Sequence, residues 1–202
     1  MAPSDHIGEG VIQFQCHHSF ESLSSQRYGE LACRLVAWRE ILSATGLIGQ
    51  DPSRYEGLGY GNVSGRAGAP SAPRGRRPFL ITGTQTSGKR AVSLSDFVLV
   101  SGCEPRLNTV QSMGDMEPSS ESMTHGAIYD LSSHIRFVFH AHCPVIWRQS
   151  EALKLPQTRP DVGYGTQQMA IEVQKLYQST RLQQLQILTM GGHQDGVISF
   201  GR

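Results

Sequence analysis

The sequence predicts a single α/β domain, and three observations predict it. Short runs rich in β-branched and aromatic residues, at Phe79–Thr82, 96–100, 135–142, 186–190 and 197–200, read as strands. Between them lie longer stretches with apolar residues at helical spacing. The 202 residues show no internal repeat and no second compositional block, so they fit one domain over 1–202 with a buried core.

Residues 1–25 are weakly patterned. The adjacent pair His17-His18 reads as surface, because neighbouring strand residues point apart. A helix is predicted over 28–45, where Leu31, Leu35, Trp38 and Leu42 form a core-facing stripe and Gly46 stops it. From Gly57 to Arg66 glycine recurs too often for an ordinary strand; such backbone suits close approach to a ligand or a sharp turn. Residues 67–77 read as a loop, with Arg74-Gly75-Arg76-Arg77 as a solvated basic run. The strand Phe79–Thr82, a polar turn over 84–88 and a strand over 96–100, ended by Ser101-Gly102, come next. Glu117-Pro118-Ser119-Ser120-Glu121 opens a second helix, capped by Ser119 or Ser120, with Met123, Ala127 and Leu131 on one face. After the strand 135–142, Pro144 starts a short helix. Thr166 starts a fourth, lined by Met169, Val173 and Leu176, and the strands 186–190 and 197–200 close the chain.

Composition narrows the function. A net charge of +1 offers no basic face for nucleic acid. No segment approaches the roughly 20 apolar residues that span a bilayer. Asp5 and Glu9 interrupt the first residues, so no signal peptide is expected and the compartment reads as cytoplasmic. Cys16, Cys33, Cys103 and Cys143 form no Cys-x-x-Cys pair and read as free thiols. The expected partner is a small molecule.

The most informative stretch is Phe137-Val138-Phe139-His140-Ala141-His142. On a strand, residues i and i+2 share a face, so His140 and His142 project side by side. Cys143, one step on, faces the other way and reads as packing. His193, in Gly191-Gly192-His193 after an apolar run, supplies a third imidazole. Three neutral imidazoles without a fourth thiolate make an open site of the catalytic kind, suited to zinc and also to iron, cobalt, nickel or manganese. Glu121 is the candidate proton acceptor beside it. His125, four residues on along the same helix face, is a candidate brace for Glu121 or a ligand. Asn62, Ser64, Thr82, Thr84, Ser119 and Ser120 stand beside glycines or at a helix start, and as a set they hint at phosphate or carboxylate binding.

Taken in order, Gly61-Asn62-Val63-Ser64-Gly65-Arg66, Phe79-Leu80-Ile81-Thr82, Pro118-Ser119-Ser120-Glu121 with His125, His140-Ala141-His142 and Gly192-His193 resemble the class II aldolase/adducin family, from about residue 28 onward. The resemblance implies a three-layer α/β/α domain with a mixed, mostly antiparallel central sheet, assembled as a four-fold homotetramer with sites at subunit interfaces. It implies that His140, His142 and His193 hold a divalent metal, usually Zn2+, and that Glu121 is the acid/base. It matches Asn62, Thr84, Ser119 and Ser120 to positions that embrace a substrate phosphate. The activity implied is that of an aldolase-type lyase in carbohydrate metabolism, acting on a sugar phosphate or hydroxy-keto compound through a metal-stabilised enediolate. Epimerisation, dehydration and decarboxylation share that intermediate. An adducin-like binding or scaffold domain, and a metal-binding member without catalysis, are the other readings; the intact histidine set disfavours the adducin-like one. Two departures stand out. Gln85 follows Thr84 where the aldolases carry glycine, which would narrow the pocket. The chain also ends nine residues after His193, so the family's C-terminal helices and tail tyrosine are not expected, and Tyr129, Tyr164 and Tyr177 match no motif for that proton donor.

Overall fold

The structure, a computed structural model, describes residues 10–202. The reading of Asp5 and Glu9 lies outside them. One sheet runs, edge to edge, through β1 (Gln15–Phe20), β7 (Thr109–Gly114), β6 (Phe97–Glu104), β5 (Phe79–Thr82), β4 (Asn62–Arg66), β8 (Phe137–His142), β10 (Gly196–Gly201) and β9 (Ile187–Thr189). Neighbours are antiparallel except β1 with β7, so the sheet is mixed and mostly antiparallel, as predicted. Two-residue strands β2 (Gly49–Gln50) and β3 (Gly59–Tyr60) pair separately as a small hairpin.

Strand alternation sorts the core into two clusters. Leu80, Phe97 and Leu99 join Val63 under Tyr28, Ala32 and Leu35 of α1 (Ser25–Ala44). Phe79, Ile81, Val98, Val100 and Val138 join Met123, Ala127 and Ile128 of α2 (Ser122–Leu131) and Met169, Ala170 and Val173 of α4 (Gln167–Ser179). Each buried Val, Leu, Ile, Phe or Met among them contributes roughly 1.5–3 kcal/mol of transfer free energy. Short helices α3 (Pro144–Arg148) and α5 (Leu182–Leu185) complete the chain. Among the described residues no helix is long and apolar enough to cross a membrane.

Several elements differ from the sequence reading. Helix α1 starts at Ser25, where the Ser24 hydroxyl accepts the Arg27 amide. Its fully buried line is Tyr28, Ala32, Leu35 and Arg39; of the predicted stripe Leu35 is buried and Leu31 and Leu42 pack against the core, while Trp38 is 45% exposed. The buried Arg39 guanidinium instead donates to the carbonyls of Thr86, Ser87 and Lys89, tying α1 to the polar turn after β5. The glycine-rich segment does form a strand, β4, buried throughout in mid-sheet. Gly65 suits it because a Cβ there would stand 2.9 Å from Leu31 and 3.3 Å from Phe137. β6 does not end at Ser101-Gly102; an irregularity between Val100 and Gly102 lets it continue to Glu104. β1 and β7 were not predicted. Finally, neither Ser119 nor Ser120 caps α2. Glu121 occupies the cap position without a side-chain cap bond, and the Ser119 hydroxyl accepts the Glu121 amide one step earlier, at 3.3 Å. Thr166 does cap α4, accepting from the Met169 amide, and Pro144 opens α3.

Candidate metal centre and anion pocket

The pairing of β8 sets the first two histidines. His140 lies opposite Asn62 on β4 and Ile198 on β10, and His142 lies opposite Gly196. Both point to the same face and are 1% exposed. His193 arrives on the tight connection between β9 and β10, fixed by its amide to Met190 O and by the Gly196 amide to its own carbonyl. Gly191 and Gly192 are required there, since a Cβ on either would stand 2.2 Å from a backbone oxygen, of Thr158 and Val162 respectively. The potential ligand atoms of the three imidazoles all lie within 4.8 Å of one another, and Nε2 of His193 is 2.9 Å from Nε2 of His142. Buried nitrogens at that separation share a proton or a cation. Three converging neutral imidazoles fit a divalent ion. Cys143 turns away to start α3 and is a free thiol.

Glu121 reaches this cluster from the start of α2. It is 2% exposed, and its Oε1 is 3.8 Å from His193 Nδ1. A carboxylate is favoured at a helix N-terminus, so burial there is tolerable. His125 is placed otherwise than as a brace for Glu121. Its Nδ1 is 2.7 Å from Ser64 Oγ, which also lies 2.8 Å from the Tyr129 hydroxyl. The i, i+4 spacing does put His125 on the same helix face as Glu121, but its ring reaches across to β4. Complete burial lowers this imidazole to about 3.

Asn62, Thr84, Ser119, Ser120 and Glu121 line one small cavity together with Gln85 and Gly10. Ser64 and Thr82 are not part of it: Ser64 serves His125 and Tyr129, and the Thr82 hydroxyl accepts the Val63 amide. Asn62 joins the cavity to the histidines, its Nδ2 lying 3.3 Å from His140 Nδ1. A larger cavity, about 700 Å³, opens between Arg74, Asp130, Gln167 and Tyr177 and includes none of these site residues. Convergence of donor atoms, rather than size, therefore marks the candidate site.

The sequence reading missed an aromatic wall. Tyr55 and Tyr60 contact the His142 ring, with centroids 4.5 and 5.3 Å away, and Tyr164 stands 4.8 Å from His193. The Tyr55 hydroxyl donates to Asp195 Oδ2 at 2.8 Å and accepts from Arg54 at 2.7 Å. Burial and the Asp195 carboxylate push this phenol upward. Tyr55 holds a left-handed φ of 49°, a conformation few non-glycine residues adopt. Asp195 also accepts the Cys143 amide on its carbonyl, linking the loops that carry His142 and His193. No spacing rule exposes Tyr55; the Gly57-Leu58-Gly59 turn beside it was the one available signal.

Comparison with known proteins agrees with this geometry. The family described as "Class II Aldolase and Adducin N-terminal domain" matches residues 52–197. Among solved structures, an L-fuculose-1-phosphate aldolase from Thermus thermophilus is 22% identical with a TM-score of 0.58, over 86% of this chain and 80% of that one. A second L-fuculose 1-phosphate aldolase is 20% identical with a TM-score of 0.58, over 90% and 77%. YgbL from Klebsiella pneumoniae, described only provisionally as an aldolase, epimerase or decarboxylase, is 16% identical with a TM-score of 0.59, over 89% and 81%. At these identities the likeness carries the fold. No curated protein sequence matches the chain at a significant level.

Proposed function

The chain belongs to the class II aldolase and adducin family, and from that premise we propose that it is a divalent-metal-dependent lyase of the aldolase type. Its substrate is a small sugar-like or hydroxy-keto compound with an anionic end. The observation that carries this reading is the buried cluster of His140, His142 and His193 with the Glu121 carboxyl 3.8 Å from one of the rings. A binding domain has no need to converge four such groups in its interior.

His140, His142 and His193 would hold the ion, zinc being the best match to three imidazoles. When bound, it supplies Lewis-acid polarisation of a substrate carbonyl and its neighbouring hydroxyl. Glu121 accepts the hydroxyl proton as the carbon–carbon bond breaks and returns a proton to the carbon that keeps the electron pair. Asn62, Thr84, Ser119 and Ser120 bind the anionic end and so fix which bond lies over Glu121. Tyr55, Tyr60 and Tyr164 pack against the histidines and exclude water. Asn62 has a second task. If His140 meets the ion through Nε2, its Nδ1 carries the proton, and the acceptor is the Asn62 amide oxygen. The amide, which can be turned over without changing its outline, then directs its NH2 group into the cavity.

The same groups serve epimerisation, dehydration or decarboxylation on a different substrate. In this reading α1 on one side of the sheet, and α2 and α4 on the other, make the three-layer α/β/α frame of a cytoplasmic homotetramer. The test is turnover: zinc-loaded protein is offered a panel of phosphorylated and carboxylated ketoses and hydroxy-keto acids, and released aldehyde or ketone is measured. Cleavage by the native chain and none by Glu121→Gln is the expected result. No turnover of any kind by protein that retains its metal would refute the enzymatic reading.

A further inference from the structure

We propose that the chain holds a second, enclosed oxoanion site between Arg66 and Arg136, at the end of β4 away from the histidines. The two arginines stand opposite each other where β4 meets the start of β8, and the Arg66 amide donates to the Arg136 carbonyl at 2.8 Å. Opposite residues of an antiparallel pair project to one face, with Cβ atoms roughly 4.5–5.5 Å apart. That face is the α2 side, since the Arg66 guanidinium lies 5.8 Å from the Tyr129 ring centroid. Asn62, which reaches the histidine cluster, is four residues back along β4, about 13 Å at roughly 3.3 Å per residue. The site is therefore separate from the pocket beside Glu121 and independent of the proposed activity.

Like charges opposed across a sheet repel, and little in the protein answers these two. Arg66 is 2% exposed. Its Nη2 donates to the Ala69 carbonyl at 2.9 Å, but its Nε and Nη1, and the Nη1 of Arg136, are buried with no hydrogen-bond partner among the described residues. A third guanidinium adds to the charge: Arg77, from the run that reads as solvated, turns inward and donates to the Tyr129 carbonyl at 2.6 Å. Asp130 is the carboxylate beside the cluster. It stands 4.0 Å from Arg77 Nε, and both its oxygens accept the Gly75 amide. Neither Arg66 nor Arg136 has an ion pair among the described residues. Burial, and after it Arg77 and Arg136, hold Arg66 below the ordinary arginine range.

A buried charge needs a counter-charge, and an arginine cannot shed its proton instead. Three guanidiniums against one engaged carboxylate leave a surplus of positive charge. Guanidinium N–H groups match the oxygens of phosphate or sulfate, and an ion with several oxygens can accept from nitrogens that point in different directions. The cover is the loop 67–77, which Arg66 and Arg77 hold through the Ala69 and Ala72 carbonyls. With Arg66 enclosed and Arg136 half-buried, the occupant is a free inorganic oxoanion rather than the head of a larger ligand. It ties the loop to β4 and to the start of β8.

The test is urea unfolding of the native chain and of Arg136→Gln, with millimolar inorganic phosphate replacing chloride at constant ionic strength. In chloride, Arg136→Gln is expected to be at least as stable as the native chain, because it removes one of two opposed charges. In phosphate the order is expected to reverse. The native unfolding constant falls about tenfold, the effect of a ligand at roughly ten times its dissociation constant, while that of Arg136→Gln moves by less than about twofold. Phosphate bound in the pocket beside Glu121 would raise both proteins alike, as would its general salting-out effect, so an equal gain overturns the proposal. No gain in either protein overturns it too. A variant less stable than the native chain by the same margin in both buffers would make Arg136 a structural contact and overturn the proposal. So would an Arg136→Gln chain that fails to fold in chloride, where the proposal makes Arg136 a liability.

Discussion

His125→Gln should flatten the acid side of the stability curve by an amount the structure fixes. His125 is wholly buried, and its imidazole is lowered from its ordinary 6.5 to about 3. In the unfolded chain it titrates near 6.5. Between these values the unfolded state binds a proton that the folded state refuses, so stability is complete above pH 6.5 and is lost as pH falls toward 3. At pH 5 the loss is about 1.5 pH units at 1.36 kcal/mol each, or about 2 kcal/mol. Because pH 5 lies well above 3, this figure depends chiefly on the unfolded value. Glutamine does not titrate and can keep the bond to Ser64, whose hydroxyl stands 2.7 Å from His125 Nδ1. Urea unfolding of both proteins at pH 7.5 and pH 5, with a chelator present so that metal release does not contribute, measures the difference. The native chain should lose about 2 kcal/mol more than His125→Gln over that interval. Equal losses would show that His125 is hydrated in the folded state and that the Ser64–Tyr129 network is not closed.

Asn62→Leu removes the amide beside His140 Nδ1 and should weaken zinc binding about 10–100-fold in chelator competition. Glu121→Gln should retain zinc while lowering kcat by about 10²–10⁴ once a substrate is in hand, the usual worth of a positioned acid/base. Gly61→Ala should destabilise the fold by about 2–4 kcal/mol in denaturant unfolding. The added Cβ would meet Ile48 at 2.6 Å and the His140 carbonyl at 3.0 Å, on backbone whose φ is +77°.

The histidine pair on β8 was legible because strand alternation is local: Phe137 to His142 carry both the β-branched signal and the i, i+2 spacing. His193 was legible through Gly191 and Gly192, which no side chain can replace against the backbone of Thr158 and Val162. Where tertiary context sets the outcome, the sequence was silent. β1 is an edge strand with mostly solvent-facing side chains, so Gln-Cys-His-His-Ser-Phe shows no apolar face. β7 is polar at Gln111 and Ser112, and its Val110 alone is too little signal. The exchange of Trp38 for Arg39 on the buried side of α1 turns on three carbonyls from a distant turn, which compensate the arginine's burial. The Tyr55 wall depends on consecutive left-handed residues Tyr55, Glu56 and Gly57, a conformation that side-chain type does not announce. The serines of Pro118-Ser119-Ser120-Glu121 were assigned as caps, but α2 begins one residue later, which frees Ser119 and Ser120 to line the cavity.

The central claim is that His140, His142 and His193 form one metal centre, and elemental analysis of the purified chain beside His142→Ala tests it most directly. The account predicts about one zinc per native chain and its loss in the variant, with the fold intact by circular dichroism. A native chain that holds no metal and takes up none from added zinc would contradict it.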